Sequence, residues 1–170
     1  MVKVSIIIPN YNGEELLRKN LPKVLEALNY YVNKHQEEVE VLVVDDYSID
    51  NSVKEIQNYS SKVKIIQNEK NLGFSSTVNR GVSEANGGIV VLLNTDVAPE
   101  RNFLEPLLPH FNDPKVFAIG CLDKSVEGKE VILRGRGIGK WERGFFIHSR
   151  GEVNKKDTLW VSGGSGAFRR

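Results

Sequence analysis

The chain predicts an α/β fold built on a mostly parallel central sheet. Three observations carry that prediction. Apolar, β-branched runs alternate with stretches of helical periodicity from Val2 to Leu122. The apolar runs are nearly unbroken, as expected of strands covered on both faces. Each run also ends abruptly in Asn, Asp or Gly, and open parallel sheets gather their ligands at such carboxyl ends.

The first strand runs from Val2 to Ile8, with β-branched bulk from Val4, Ile6, Ile7 and Ile8, and Pro9 is expected to end it. Pro9-Asn10-Tyr11-Asn12-Gly13 follows as a loop of turn formers. Leu17, Leu21, Val24, Leu25 and Leu28 then form one helical stripe. Pro22 predicts a kink in that helix, and Asn29 to Glu38 a polar loop. Val39 to Val44 is a second buried strand ending in Asp45 and Asp46. Ser48 or Asp50 is placed to cap a helix carrying Val53 and Ile56 up to Tyr59. Lys62 to Gln67 reads as a strand, Asn68 to Phe74 as a loop and Ser75 to Ala85 as a helix stopped by Asn86-Gly87-Gly88.

Ile89-Val90-Val91-Leu92-Leu93 is the central strand, broken off at Asn94-Thr95-Asp96. A carboxylate held there by a rigid strand is placed to bind Mg²⁺ or Mn²⁺, which take oxygen ligands shared with substrate phosphate; Asn, Thr and Asp are equally ordinary turn residues. A helix is expected from Glu100 to Phe111 behind Pro99, then a strand from Val116 to Leu122. Beyond Asp123 the pattern loosens into short strands at Val131–Leu133 and Phe145–Ile147. A last strand is expected at Leu159–Val161, with Ser162 to Gly166 as loop.

Composition narrows the function. A chain of 170 residues, 40% hydrophobic and 26% charged, is about one globular domain. A net charge of +1 makes no case for nucleic acid or for an anionic membrane surface. One cysteine, Cys121, excludes an intramolecular disulfide and a cysteine-rich zinc site; it reads as a core residue. No signal peptide or membrane span is visible, so a cytoplasmic location, with the inner face of the membrane as the variant, is the expectation. Gly135, Gly137 and Gly139 read as a hairpin turn, because position 134 is Arg and Lys140 is followed by Trp141, so no Walker A loop forms. His110 is isolated, and His148 beside Phe145-Phe146 reads as a partly buried histidine. Trp141 and Trp160 read as core, with stacking on a sugar as the alternative for Trp141. A Rossmann dehydrogenase is disfavoured, because Pro9 to Gly13 holds one glycine where G-x-G-x-x-G is needed.

Four motifs in order resemble glycosyltransferase family 2. They are Pro9-Asn10-Tyr11-Asn12; Val44-Asp45-Asp46-Tyr47-Ser48-Ile49-Asp50; Asn71-Leu72-Gly73-Phe74 with Asn79-Arg80-Gly81; and Leu93-Asn94-Thr95-Asp96-Val97. Each is weak alone; together they are specific. The resemblance implies a GT-A fold, a nucleotide-diphosphate sugar donor and transfer with inversion. It places Pro9 and Tyr11 at the nucleotide base, with Tyr11 against the ring, Asn12 among the nucleotide-binding residues, and Asp46 accepting from the base edge with Asp45 beside it. Asn71, Gly73 and Asn79 would line the nucleotide side and Arg80 would approach phosphate. Asn94-Thr95-Asp96 occupies the family's Asp-x-Asp position with its first aspartate replaced. Asp96 is then the main Mg²⁺ or Mn²⁺ ligand, and Asn94 turns toward ribose, metal or water. The expected partners are a UDP- or dTDP-sugar and a saccharide or lipid-linked acceptor, as in cell-envelope polysaccharide synthesis.

Ser162 to Arg170 resembles the segment before the acceptor region, after which the family's catalytic aspartate follows. The chain is therefore expected to be one GT-A domain cut short, with 1–122 binding the nucleotide sugar and 123–170 beginning the acceptor side. Its base is expected beyond Arg170, since Asp123, Glu127, Glu130, Glu142, Glu152 and Asp157 have no recognisable setting. Donor binding without transfer, and dimerisation through an exposed face, follow as expectations. The rival reading is a non-catalytic nucleotide-sugar-binding module, for which Asn94 speaks.

Overall fold

The computed structural model describes residues 3–128, 130–155 and 157–170. Val2 of the first predicted strand and the side chain of Glu127 lie outside the described residues. The elements are β1 (Val4–Asn10), α1 (Glu14–His35), β2 (Val39–Asp45), α2 (Ser52–Gln57), β3 (Lys64–Gln67), α3 (Phe74–Glu84), β4 (Ile89–Leu93) and α4 (Leu104–Leu107). A 3₁₀ turn (Leu108–Asn112) follows, then β5 (Ala118–Gly120), β6 (Asp123–Glu127), β7 (Glu130–Arg134), β8 (Gly137–Glu142), β9 (Phe145–Arg150) and β10 (Ser165–Arg169). Six strands form the central sheet in the order β3-β2-β1-β4-β10-β5. β1 to β4 are mutually parallel, and β10 runs antiparallel between β4 and β5. β6–β7 and β8–β9 are separate hairpins.

The apolar runs of β1, β2 and β4 are buried on both sides of this sheet. Ile6, Ile8, Val41, Val43, Val91 and Leu93 pack with Leu17, Leu21 and Val24 of α1 and with Leu104 on one face. Ile7, Leu42, Val44, Val90 and Leu92 pack with Val78 of α3 on the other. Gly81 lets α3 lie close, since a Cβ there would sit 2.6 Å from Ile7 Cγ2.

Several boundaries differ from the sequence expectation. β1 continues through Pro9 to Asn10. Pro9 falls beyond the last β1–β4 pair, Ile7 with Leu92, where a strand tolerates a missing N–H. α1 is continuous past Pro22 and extends to His35, because the predicted loop contains Tyr31, buried and stacked on His35 at 4.4 Å. The helix expected from Glu100 shrinks to α4 and the 3₁₀ turn, since Pro106 and Pro109 each remove a backbone donor. β5 is shorter than predicted.

The largest correction concerns the last strand. Leu159–Val161 is not a strand; the sheet instead takes Ser165 to Arg169. Gly135 to Gly139 is likewise no hairpin turn, because it links two hairpins and Gly137 opens β8. The β8–β9 turn is Arg143–Gly144, both at positive φ.

Candidate functional site

The chain leaves β1 outward through β2 to β3, then returns to β4 on the other side of β1. The order reverses between β1 and β4, and ligands of open α/β sheets bind at such a switch point. The β1–β4 pairing ends at Ile7 and Leu92, and the loop after β1 and the Asn94–Asp96 turn follow side by side, a Cβ on Gly13 lying 3.6 Å from Thr95 Cγ2.

The loop after β1 and the loop after β2 are stitched together by side chains. Asn10, buried, donates from Nδ2 to Asp45 Oδ1 (2.8 Å) and Ser48 Oγ (3.1 Å). Asp45 also accepts from the Ser48 hydroxyl (2.6 Å) and backbone N–H (3.0 Å). Asn12, at φ +50°, donates its N–H to Ser48 Oγ (2.9 Å) and accepts from the Ile49 N–H (2.9 Å). Asp50 accepts from the Glu14 N–H (3.0 Å) and the Ser52 N–H (2.9 Å), so one carboxylate serves the starts of α1 and α2. Burial works against the charged form of Asp50, but these donors outweigh it and hold the carboxyl below its usual range.

Asp46 organises the next loop. It is 4% exposed, and its Oδ1 accepts from Asn68 Nδ2 (2.6 Å) and the Leu72 N–H (2.8 Å), while Oδ2 accepts from the Gly73 N–H (2.8 Å). Burial raises its pKa, yet the donors from Leu72, Asn68 and Gly73 prevail and lower it. The carboxylate therefore stays charged at the start of α3, where the helix dipole also favours it. Gly73 stands at φ +82°, a conformation natural to glycine. Arg80 donates to Gln67 O (2.6 Å) and Asn68 Oδ1 (2.7 Å), completing a chain from Arg80 through Asn68 to Asp46. Arg80 thus braces the floor of the loop. Asn71 is exposed on it, and Asn79 is exposed midway along α3. Tyr11 and Tyr47 leave their rings 53% and 54% exposed at the same sheet end.

At β4, Asn94 N–H donates to Gly164 O (2.9 Å) and its carboxamide lies against Gly164, where a Cβ would approach Nδ2 to 2.8 Å. Asn94 Oδ1 is buried without a hydrogen-bond partner. Asn20 on α1 donates to Thr95 O (2.8 Å) and holds the turn from behind. Asp96 is exposed and lines a cavity of about 700 Å³ with Leu93, Leu107, Cys121, Asp123 and Ser165. A second depression of about 630 Å³, beside Lys3, Glu37 and Arg169, lies at the amino ends of β1 and β4, away from every strand-end cluster.

The sequence reading left Asp123 without a setting. Here it opens β6 in the cavity wall and accepts from Ser165 Oγ (2.8 Å). Burial, joined by the nearby charge of Asp96, holds its carboxyl above the usual range against the lowering effect of Ser165 and Arg134. Asn68 and Ser165 also went unsingled, and Ser48, expected as a helix cap, instead ties the β1 and β2 loops together. A buried polar residue three positions from a recognised motif is the kind of signal that marks Asn68. Cys121 is half-buried past the end of β5 and lines the cavity; it is not a core residue. His110 is exposed on the cavity rim. His148, Trp141 and Trp160 are all exposed, against expectation.

The donor set fits a hard divalent cation only in part-share with a ligand. Among the described residues no three His, Cys, Asp or Glu side chains group to hold a metal. Mg²⁺ and Mn²⁺ commonly bind through one or two carboxylates plus substrate phosphates, and exposed Asp96 suits that arrangement.

A mostly parallel α/β sheet with polar loops gathered at its switch point defines a domain of the GT-A type. The chain belongs to glycosyl transferase family 2, whose family model matches residues 5–170. It is 35% identical over 135 residues to a dolichol-phosphate mannosyltransferase of Pyrococcus furiosus, covering 76% of this chain and 35% of the relative. It is 30% identical over 146 residues to a human dolichyl-phosphate beta-glucosyltransferase, covering 78% and 44%. Among solved structures it resembles the mannosyltransferase PcManGT from Pyrobaculum calidifontis in complex with GDP-Man and Mn²⁺, with a TM-score of 0.64 and 26% identity over 72% of this chain and 36% of that one. Staphylococcus aureus TarS 1-349 in complex with UDP-GlcNAc gives a TM-score of 0.65 at 26% identity, over 77% and 37%. The chain thus spans less than half the length of these relatives.

Proposed function

We propose that this chain is the donor-binding part of a glycosyltransferase that moves a sugar from a nucleotide diphosphate to a lipid-linked or saccharide acceptor with inversion. The observation that carries the reading is the convergence of the β1, β2 and β4 ends and the 68–73 loop on one sheet edge. Relatives that act on dolichyl phosphates support a lipid-linked acceptor. Pro9, Tyr11 and Asn12 border the base pocket, with the Tyr11 ring free to stack. Asp46, held in place by Asn68, Leu72 and Gly73, would accept an N–H from a pyrimidine edge. Asp45, Asn71, Gly73, Asn79 and Arg80 shape the same side.

Asp96, with the Asn94 carboxamide beside it, would share a divalent cation with the diphosphate. When bound, such an ion neutralises the charge that gathers on the departing diphosphate. The protein's own part is to fix the turn that presents Asp96, through Asn20 and Gly164. Asn94 in place of an aspartate also favours a second reading, a nucleotide-sugar-binding module without transfer.

Calorimetric titration tests both donor and metal. UDP or dTDP is expected to bind more tightly with Mn²⁺ than in a chelator, and uridine or thymidine is not. Asp96→Asn should remove the difference. Equal diphosphate binding in chelator would return Asp96 to the role of a turn residue, and tighter binding of GDP would replace the pyrimidine assignment.

A further inference from the structure

The near-zero net charge of the whole chain hides a division. Residues 1–122 carry 12 Lys and Arg against 16 Asp and Glu, a balance of −4; residues 123–170 carry 11 against 6, a balance of +5. The positive part contains both hairpins, and it also exposes most of the large apolar side chains.

The β8–β9 register pairs Trp141 with Phe146, Glu142 with Phe145 and Lys140 with Ile147. Successive pairs point to opposite faces. Trp141 and Phe146 therefore crown one face, in edge-to-face contact at 5.5 Å, and Phe145 and Ile147 the other. Trp141 is 75% and Phe145 74% exposed. Arg143 in the turn and Arg150 at the base of β9 have no ion-pair partner among the described residues.

The first face is built by glycine. A Cβ on Gly139 would lie 2.4 Å from the Phe146 ring and 2.6 Å from Leu159, and one on Gly137 would lie 2.3 Å from the Trp160 ring. Trp160 meets His148 edge to face at 5.5 Å. On the neighbouring hairpin Val126 and Val131 form an exposed pair.

A sugar-stacking platform needs one aromatic face. A finger with large apolar side chains on both faces, the Lys140–Glu142 ion pair lying on the face of Phe145 and Ile147, suits the bilayer interface instead: aromatic rings take the headgroup level while Lys and Arg of this basic segment meet anionic headgroups. We propose that the region from β6 to β9 docks on an anionic lipid bilayer, with the tip of β8–β9 inserted at the headgroup level. Both hairpins are rooted at the cleft. Asp123 at the start of β6 accepts from Ser165, and Gly135 before β8 packs against Cys121 O. Docking would bring the cleft to a lipid-linked acceptor, which extends the proposed acceptor class without depending on it, because vesicle binding is read without transfer.

The test is co-sedimentation of the chain with phosphatidylcholine vesicles, with and without phosphatidylglycerol. Binding is expected with phosphatidylglycerol and should fall as salt rises. Trp141→Ala combined with Phe145→Ala is expected to weaken it about tenfold or more while leaving the melting temperature unchanged, since both side chains are exposed. Tryptophan emission should shift to the blue on adding vesicles in Trp160→Phe and not in Trp141→Phe. Vesicle binding equal in the double variant and the parent overturns the proposal, as does its absence in the parent. Self-association in sedimentation velocity that the same two substitutions abolish would assign the surface to a second copy. An emission change of Trp141 with soluble saccharide alone would assign it to a sugar.

Discussion

Asp46→Ala is expected to destabilise the fold by about 2–4 kcal/mol. Its carboxylate is nearly inaccessible and accepts three hydrogen bonds, from Asn68 Nδ2 and the Leu72 and Gly73 N–H groups. A bond to a charged acceptor is worth about 1.5–3 kcal/mol, and three lost together do not add in full. Leu72 and Gly73 are exposed, so water replaces much of what they lose; Asn68 is buried and keeps the penalty. Asp46→Asn retains one acceptor oxygen but turns an amide N–H₂ toward a donor, and should cost about 1.5–3 kcal/mol. The pH dependence has a definite sign. Burial pushes the Asp46 carboxyl up, but the Leu72, Asn68 and Gly73 donors bring its folded pKa below the unfolded one. Its stabilisation is therefore fully present above the unfolded value, about 3.9, and is lost as pH falls through the lowered folded value. Urea unfolding of parent, Asp46→Ala and Asp46→Asn, followed by circular dichroism at pH 7 and in steps below pH 4, measures this. An Asp46→Ala protein within about 0.5 kcal/mol of the parent at pH 7 would refute the reasoning. So would a gap between parent and Asp46→Asn that does not shrink in acid.

Two further outcomes follow from the same geometry. Asp50→Ala removes acceptors at the starts of two helices and should cost about 1–3 kcal/mol in urea unfolding, with the loss again confined to pH above the lowered carboxyl pKa. Burial, together with the Asp123 charge, pushes the Cys121 thiol up to about 11. Alkylation of Cys121 at pH 8 should then run about two hundredfold slower in the folded chain than in urea, and similar rates in the two states would contradict its placement in the cleft wall.

The parallel half of the sheet was legible because its strands are unbroken aliphatic runs; Ile89 to Leu93 can hardly be anything but a central strand. The loops after β1, β2 and β3 were legible as motifs, but what Asp45 and Arg80 touch was not, since a carboxylate that binds a ligand and one that clamps a loop look alike in sequence. β10 was missed because Ser165, Gly166 and Ala167 have the composition of a turn. They are buried through what they lack: a Cβ on Gly166 would meet Val161 Cγ1 at 2.5 Å. Asp123 was missed for a related reason. Its neighbour Ser165 is 42 residues away, a distance that pattern reading does not cross.

The position of β10 has a consequence for how the molecule comes together. β1, β2 and β3 are neighbours in both sequence and sheet, whereas β4 pairs back on β1 across all the intervening elements, a non-local contact of the kind that slows folding. Even then β4, which delivers Asn94 and Asp96, has one flank unpaired until Ser165 to Arg169 arrive from about 70 residues downstream. The same residues then take up β5 on their far side. A nascent chain therefore carries an aliphatic strand with an open hydrogen-bonding edge through the whole synthesis of the hairpin region, and such an edge invites pairing with other chains. The turn that presents Asp96 is fixed to Gly164, one residue ahead of β10, so the cleft takes its shape only as that edge closes. The sheet edge and the Asn94–Asp96 turn are in this way completed in the same late step.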